Sequence, residues 1–347
     1  MSNRSMPIVA LCEMVPDQEA DLFALMTAKE ELTTKNGKPY FRVAFRDAQR
    51  EVSFPIWDNS PWAADCRTSW TPGVFYKLRA VYRETNFGPQ LDIRKIREVA
   101  DGDAADGFDP AMCRCQSRFD PSAMLDELLA LAAERIDNAP LAGLVASILT
   151  AHREQLLAAP AAQHNHHTYC GGLLEHTLSV TRCCVYLADK YAEYYTDLQP
   201  PLDKGLVVAG AILHDIGKLR IPKEILDSPI KLSPNNEAVF RTHPVKGVAM
   251  CASLPLSVDV INAILFHHER MDGSGYPSGI AGEAIPLPVR VLALADAYET
   301  LIAGRPQTKG LTPYQALRVL SEDRKGAFDP ETVKRLVLVL SGADMME

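Results

Sequence analysis

Near residue 100 the hydrophobic period of this 347-residue chain changes from two to between three and four, so the chain must build two parts of different kinds. From about residue 7 to 98, apolar and polar side chains alternate between turn signals, as in short strands. In KPYFRVAFRD, Phe41, Val43 and Phe45 share one face, and Tyr40, Arg42 and Arg46 share the other. In VFYKLRAVYR the same split sets Val74, Tyr76, Leu78, Ala80 and Tyr82 against Phe75, Lys77, Arg79 and Arg83. Runs near 7–14, 19–30, 39–47, 50–57 and 73–97, with KNG and NFG as turns, predict an all-β OB-fold barrel of five or six strands over residues 1–100.

Residues 101–122 are rich in Asp, Gly and Pro and carry no period, which reads as a linker. Beyond it, over residues 123–347, segments such as PSAMLDELLALAAERI, DKGLVVAGAILHDIG and LPVRVLALADAYETLIA carry apolar residues at helical spacing. The expected architecture is therefore multi-domain, a β-barrel followed by an all-α unit.

Charge is divided in the same way. Residues 1–100 hold 14 Lys and Arg against 13 Asp and Glu, the remainder holds 22 against 31, and all nine histidines lie beyond residue 150. No apolar run approaches the length of about 20 residues that spans a bilayer. The N-terminus lacks a signal-peptide core, and the eight cysteines are scattered without a disulfide framework, so we expect a cytoplasmic protein with no membrane partner. The lone CRC at 113–115 is either a fragment of a metal site or a pair of ordinary thiols.

The second face of each strand pattern interleaves aromatics with cations: Tyr40, Arg42 and Arg46 on one, Phe75, Lys77 and Arg79 on the other, with Trp57 in SFPIWDN outside the core parity. Such faces stack bases and neutralise phosphates along a single strand. The alternative is that arginine and lysine keep exposed strands soluble and block edge pairing.

In the rear part His176, His214, Asp215, Lys218, His243, the pair His267 and His268, and Asp296 lie in or beside apolar helical segments. Burying one histidine is ordinary, whereas burying this many polar groups on separate elements is costly unless something pairs with them. A pair of metal ions would do so, with an aspartate bridging two cations and neutral imidazoles filling the outer positions. Mixed nitrogen and oxygen donors of this kind suit Mn foremost, and also Fe, Co, Ni, Mg or Zn. Two cations about 3.5–4 Å apart can clamp a phosphodiester for in-line attack.

His176, His214-Asp215 and Asp296 resemble the ligand set of the HD phosphohydrolase superfamily. LHDIGK, HP followed by Gly247, HHERMDGSGYP and ADAYETLIAGRP further resemble its HD-GYP branch over about residues 205–310. The resemblance implies that His176, His214, Asp215 and Asp296 hold one metal, and that Asp215 bridges to a second held by His243 and His267 or His268. It implies that Lys218 meets a substrate phosphate or the bridging hydroxide. Arg270 is a phosphate contact or the partner of Glu269 or Asp272 in an ion pair. Where some HD-GYP proteins carry a carboxylate for a third metal, four residues before the first histidine, this chain has Gly172, which implies two ions rather than three.

The stretch PAAQHNHHTYCGGLLEHTLSV, with the front of the chain, resembles instead the YhaM-type 3'-5' exoribonucleases, which set an OB-fold ahead of an HD domain. On that resemblance His166 and His167 touch substrate, the alternative being an exposed loop. The two resemblances imply one chemistry and different substrates. The favoured expectation is a two-metal 3'-5' exoribonuclease on single-stranded RNA, or DNA, guided by the barrel. Its alternatives are a cyclic di-GMP phosphodiesterase and a non-catalytic OB-fold RNA-binding protein.

Overall fold

A computed structural model describes residues 6–34, 36–86, 88–113, 117, 119–161, 170–226, 232–303 and 310–341. The chain falls into two compact units, Met1–Gln116 and Ser117–Asp227 with Leu232–Glu347. Each is described by itself.

In the first unit the alternating segments become β1 (Glu19–Thr33), β2 (Pro39–Arg46), β3 (Glu51–Trp57), β4 (Phe75–Thr85) and β5 (Gly88–Glu98), with a short helix α1 (Ala63–Thr68) between β3 and β4. All neighbours pair antiparallel in the order β3-β2-β1-β4-β5, with bulges between Met26 and Ala28 and between Arg79 and Ala80. Phe41, Val43, Phe45, Tyr76, Leu78, Ala80 and Tyr82 are all buried, and Phe45 meets Trp70 and Tyr76 edge-on. The Lys29 ammonium, at the far end of an apolar stem, donates to the carbonyl of Cys66 (2.9 Å) in the last turn of α1, where helix carbonyls lack partners, and to that of Trp70 (2.7 Å) just beyond it.

Three expectations are corrected here. Among the described residues no ladder joins β3 to β5, so the sheet is not a closed barrel. Residues 7–14 are not a strand: Ile8 makes one isolated bridge to Asp21, and Leu11–Glu13 is a 3-10 turn with Leu11 fully buried. The expected linker is structured over its first half, with 3-10 turns at Asp101–Ala104 and Pro110–Cys113 packed back on the sheet. Phe108 lies between Phe23 and Phe75 at 5.1 and 5.4 Å, and the buried Asp103 receives Arg97 through two hydrogen bonds of 2.6 Å and Lys77 at 3.2 Å.

The second unit is helical: α2 (Pro121–Arg135), α3 (Ala139–Ala151), α4 (Arg153–Ala158), α5 (Gly172–Tyr194), α6 (Lys204–Leu213), α7 (Lys223–Leu226), α8 (Pro234–Phe240), α9 (His243–Cys251), α10 (Val258–Phe266), α11 (Leu287–Ile302), α12 (Pro313–Arg318) and α13 (Pro330–Ser341). Every residue of α6 from Leu206 to Leu213 is buried, as is α11 from Val291 to Glu299. A helix buried on all sides has to run through the middle of a unit, and over these stretches both do. Asp203 and Ser257 cap α6 and α10 by accepting from Leu206 N and Val260 N, which sets where each helix starts. No described helix is long and apolar enough to cross a membrane.

Asp103 ties the back-packed turns to β4 and β5, and its cationic partners, Arg97 foremost, hold its carboxyl far below the usual carboxylate range. A depressed pKa stabilises the fold above the unfolded value and loses that effect as the pH falls through the folded one. We therefore expect Asp103→Asn to destabilise the first unit by about 2 kcal/mol at neutral pH, between the values for exposed and fully buried pairs, and by much less near pH 2. Urea unfolding at both pH values would check this.

Candidate metal centre

The histidines and aspartates singled out above come from five helices and one turn. His176 is in α5, early but inside the helix. His214 and His267 are the C-cap residues of α6 and α10, and Asp215 opens the 3-10 turn Ile216–Arg220. His243 begins α9, and Asp296 is in α11. His176, His214, Asp215, His243, His267 and Asp296 are all 5 % exposed or less.

Asp215 is the centre, and its two oxygens face different groups. Oδ2 lies 3.2 Å from both His176 Nε2 and His214 Nε2, while Oδ1 lies 3.2 Å from His243 Nε2 and 3.7 Å from His267 Nε2. Asp296 adds an oxygen 3.3 Å from His176 Nε2 and another 3.7 Å from His268 Nδ1. Two overlapping donor groups result, His176-His214-Asp215 and Asp215-His243-His267-His268, with donor atoms within 4.8 Å of one another.

Within these groups, ring nitrogens face ring nitrogens. His176 and His214 approach Nε2 to Nε2 at 3.3 Å, His243 and His267 at 3.3 Å, and His268 and His243 at 3.2 Å. The Nδ1 of His214, His243 and His267 each donates to the carbonyl three residues back, of Ala211, Phe240 and Ile264, at 2.7–2.9 Å. Those rings therefore turn bare Nε2 lone pairs on one another. Asp215 Oδ1 is buried without a hydrogen bond. Converging lone pairs and an orphaned carboxylate oxygen are costly without a positive charge among them, so the residues fit divalent cations.

Electrostatics agree. Burial alone would raise the Asp215 carboxyl, but the opposing charges, Lys218 at 2.5 Å foremost, outweigh it and hold it well below its usual value. Burial holds His243, His267 and His268 below the usual imidazole value, so they are neutral donors. Burial would lower His176 too, but Glu299, Asp215 and Asp296 raise it well above that value. A cation, whether proton or metal, is what these acids attract at His176 Nε2.

Close backbone packing brings the motifs together. A Cβ on Gly217 would stand 2.0 Å from the His243 carbonyl oxygen and 2.3 Å from Gly247 N, so the turn after Asp215 and the start of α9 meet only because that residue is glycine. Gly275 similarly admits the backbone of His268, Glu269 and Arg270 within 2.6 Å of where its Cβ would be. The loop it begins is held by Glu269, buried, whose Oε1 accepts from Ser278 N and Gly279 N. Tyr276 stacks on His268 (centroids 4.6 Å apart), and Arg241 lies 5.2 Å above the Tyr276 ring. Among the described residues Arg270 makes no ion pair with Glu269 or Asp272. Its guanidinium donates to the carbonyls of His267 and Glu269 and lies over Phe328, so it clasps the loop.

The front-unit candidates separate into two sets. Tyr40 and Trp57 pair across strands with rings 5.0 Å apart, Trp57 is 47 % exposed, and Arg42 is exposed beside them, with Arg46 further along β2. Phe75, Lys77 and Arg79 are engaged within the unit: Phe75 packs on Phe108, Lys77 meets Asp103 and Asp106, and Arg79 makes two hydrogen bonds to Asp21. His166, His167 and Cys115 lie outside the described residues; Cys113 is buried, with its thiol 3.8 Å from the Phe23 carbonyl. Sequence reasoning passed over Glu299, which hydrogen-bonds His176 Nδ1 at 2.6 Å. Its signal was its place one helical turn after Asp296 on an otherwise apolar segment.

A helical unit that buries a histidine-aspartate cation centre in this way defines a metal-binding class of domain, and the comparisons identify it. The HD domain family model matches residues 143–332, more than half of the chain, and the chain belongs to that family. It is 36 % identical over 163 residues to a cyclic di-GMP phosphodiesterase of Pseudomonas aeruginosa, covering 47 % of this chain and 38 % of that protein. It is 39 % identical over 134 residues to the cyclic di-GMP phosphodiesterase response regulator of Xanthomonas campestris, covering 38 % of this chain and 35 % of that one. The chain thus spans little more than a third of the curated relatives it matches. Among solved structures it is similar to an HDG"Y"P protein from Bdellovibrio bacteriovorus, with 15 % identity, TM-score 0.42, and 96 % and 99 % of the two chains covered. The HD resemblance agrees with the family model, whereas the YhaM-type exoribonuclease resemblance gains no support from the comparisons.

The carboxylates around His176 favour a proton on its ring, which a divalent ion would have to displace, while burial keeps His243, His267 and His268 neutral, with none to release. Metal binding at pH 7 should therefore release protons, and affinity should fall as the pH is lowered. Calorimetric titration with Mn²⁺ in two buffers of different ionisation enthalpy should give different heats. Equal heats would contradict this protonation.

Proposed function

We propose that the chain is a phosphodiesterase that opens a cyclic dinucleotide, cyclic di-GMP foremost, at two divalent metal ions held by His176, His214, Asp215, His243, His267, His268 and Asp296. The observation that carries the proposal is the division of Asp215, one oxygen toward His176 and His214 and the other toward His243 and His267. The matched relatives, named for cyclic di-GMP, supply the substrate class.

Two ions so held would supply a nucleophilic water at neutral pH and neutralise the phosphodiester charge. The protein's own part is placement. Lys218, buried and pinned between Asp215 and the Phe240 ring, holds a positive charge beside the bridging carboxylate, where a phosphate oxygen would gain from it. The loop through Tyr276 walls the side of His268, and the Arg241 guanidinium over Tyr276 offers an aromatic and cationic surface to a guanine or a phosphate.

This reading displaces the expected exoribonuclease. Of the two cation-aromatic faces expected to guide RNA, the one on β4 is engaged with Asp21, Asp103, Asp106 and Phe108. We read the front sheet as an open OB-like module. Binding of a single-stranded nucleic acid there is a second reading, favoured by the exposed Trp57, paired with the half-buried Tyr40, beside Arg42.

The test offers the purified chain, with Mn²⁺, cyclic di-GMP and, separately, 5'-labelled single-stranded RNA. We expect linear dinucleotide from the first and intact RNA from the second, with Lys218→Ala lowering kcat about 10²-fold. Laddering of RNA from its 3' end without attack on cyclic di-GMP would overturn the proposal.

A further inference from the structure

We infer that Glu299 is a positioning residue for the metal centre: its carboxylate fixes His176 in the tautomer that presents Nε2 to a cation and adds negative charge behind that one position. The inference rests on the two-ion reading above. It starts from where the histidines stand in their helices. His214 and His267 cap the C-termini of α6 and α10, and His243 follows the end of α8. The last carbonyls of a helix have no intrahelical partner, so these rings find an acceptor for Nδ1–H in the backbone itself, at Ala211, Ile264 and Phe240.

His176 has no such recourse. It is the fifth residue of a 23-residue helix, where the carbonyls of the preceding turn serve the helix's own ladder. Its Nδ1–H requires a side chain, and Glu299 Oε2 accepts it at 2.6 Å from α11. Glu299 is 2 % exposed, on the same helix as Asp296 and one turn further on, so one helix supplies both an oxygen toward His176 Nε2 and the acceptor behind its Nδ1. A carboxylate in that position orients the ring and raises its basicity as a ligand, whereas a backbone carbonyl orients with less charge. The two donor groups are thereby made unequal: one has a carboxylate hydrogen-bonded behind a donor histidine, whereas the other has carbonyls behind His243 and His267 and only the more distant Asp296 oxygen, at 3.7 Å, beside His268 Nδ1.

The substitution that separates charge from shape is Glu299→Gln, whose amide oxygen can still accept the Nδ1–H. Chelator-stripped wild type, Glu299→Gln and Glu299→Asp would be titrated with Co²⁺, following heat and the visible ligand-field absorption, with metal content measured after dialysis. We expect two ions in wild type, about 10–100-fold weaker binding of one of the two in Glu299→Gln with the other unchanged, and partial recovery in Glu299→Asp. A folded Glu299→Gln that binds both ions as wild type does, or that weakens both equally, overturns the inference and leaves the two-ion reading standing. Absence of binding in wild type overturns that reading and the inference with it. Should Glu299→Gln fail to fold by circular dichroism, ¹⁵N-histidine NMR of the Zn²⁺-loaded wild type decides. A strongly deshielded Nδ1–H with an Overhauser contact to Glu299 is expected, and a metal-bound or unprotonated His176 Nδ1 overturns the inference.

Discussion

A buried carboxylate with four imidazole nitrogens turned toward it is the constraint around which the helical unit is organised. Asp215 brings a negative charge to a place with almost no water, and the nitrogens that face it carry lone pairs rather than protons at three of the four positions. Such a cluster repels itself unless cations enter, so its persistence in a folded chain requires an apolar scaffold stiff enough to hold it. That scaffold is α6 and α11, buried on all sides, with α5 and α10 against them.

The scaffold also explains how rings on different helices acquire one orientation. Helices that end at the centre leave carbonyls there, and three histidines use them, while the helix that passes through brings its histidine to Glu299 instead. Glycines without room for a Cβ let the turn carrying Asp215 approach α9, and let the loop around Tyr276 close on His268. Motif residues that look unrelated in sequence thus play distinct parts: a donor turned toward the centre, an acceptor behind such a ring, or the space that lets two backbones touch.

Much of this was legible beforehand, and the reasons differ by level. Strand parity was readable because side chains alternate rigidly: Phe41, Val43, Phe45, Tyr76, Leu78, Ala80 and Tyr82 are inside as their spacing requires. The clustering of His176, His214, Asp215, His243, His267, His268 and Asp296 was readable because buried polar groups on apolar helices stand out. What could not be read was the pairing of charges over distance. Nothing local says that Arg79 belongs to Asp21 or that Lys77 and Arg97 belong to Asp103, so that face looked available to a nucleic acid. Residues 7–14 looked like a strand because apolar content alone cannot tell a strand from a buried turn. Glu299 resembled an ordinary helix charge until its partner, 123 residues earlier, came beside it.

The central claim is that Asp215 joins two cations. The most direct measurement is a crystal structure of the Mn²⁺-loaded chain with anomalous scattering collected at the manganese edge. Two peaks about 3.5–4 Å apart, one on each Asp215 oxygen, are the predicted result. A single peak, or peaks that do not share Asp215, would contradict the account.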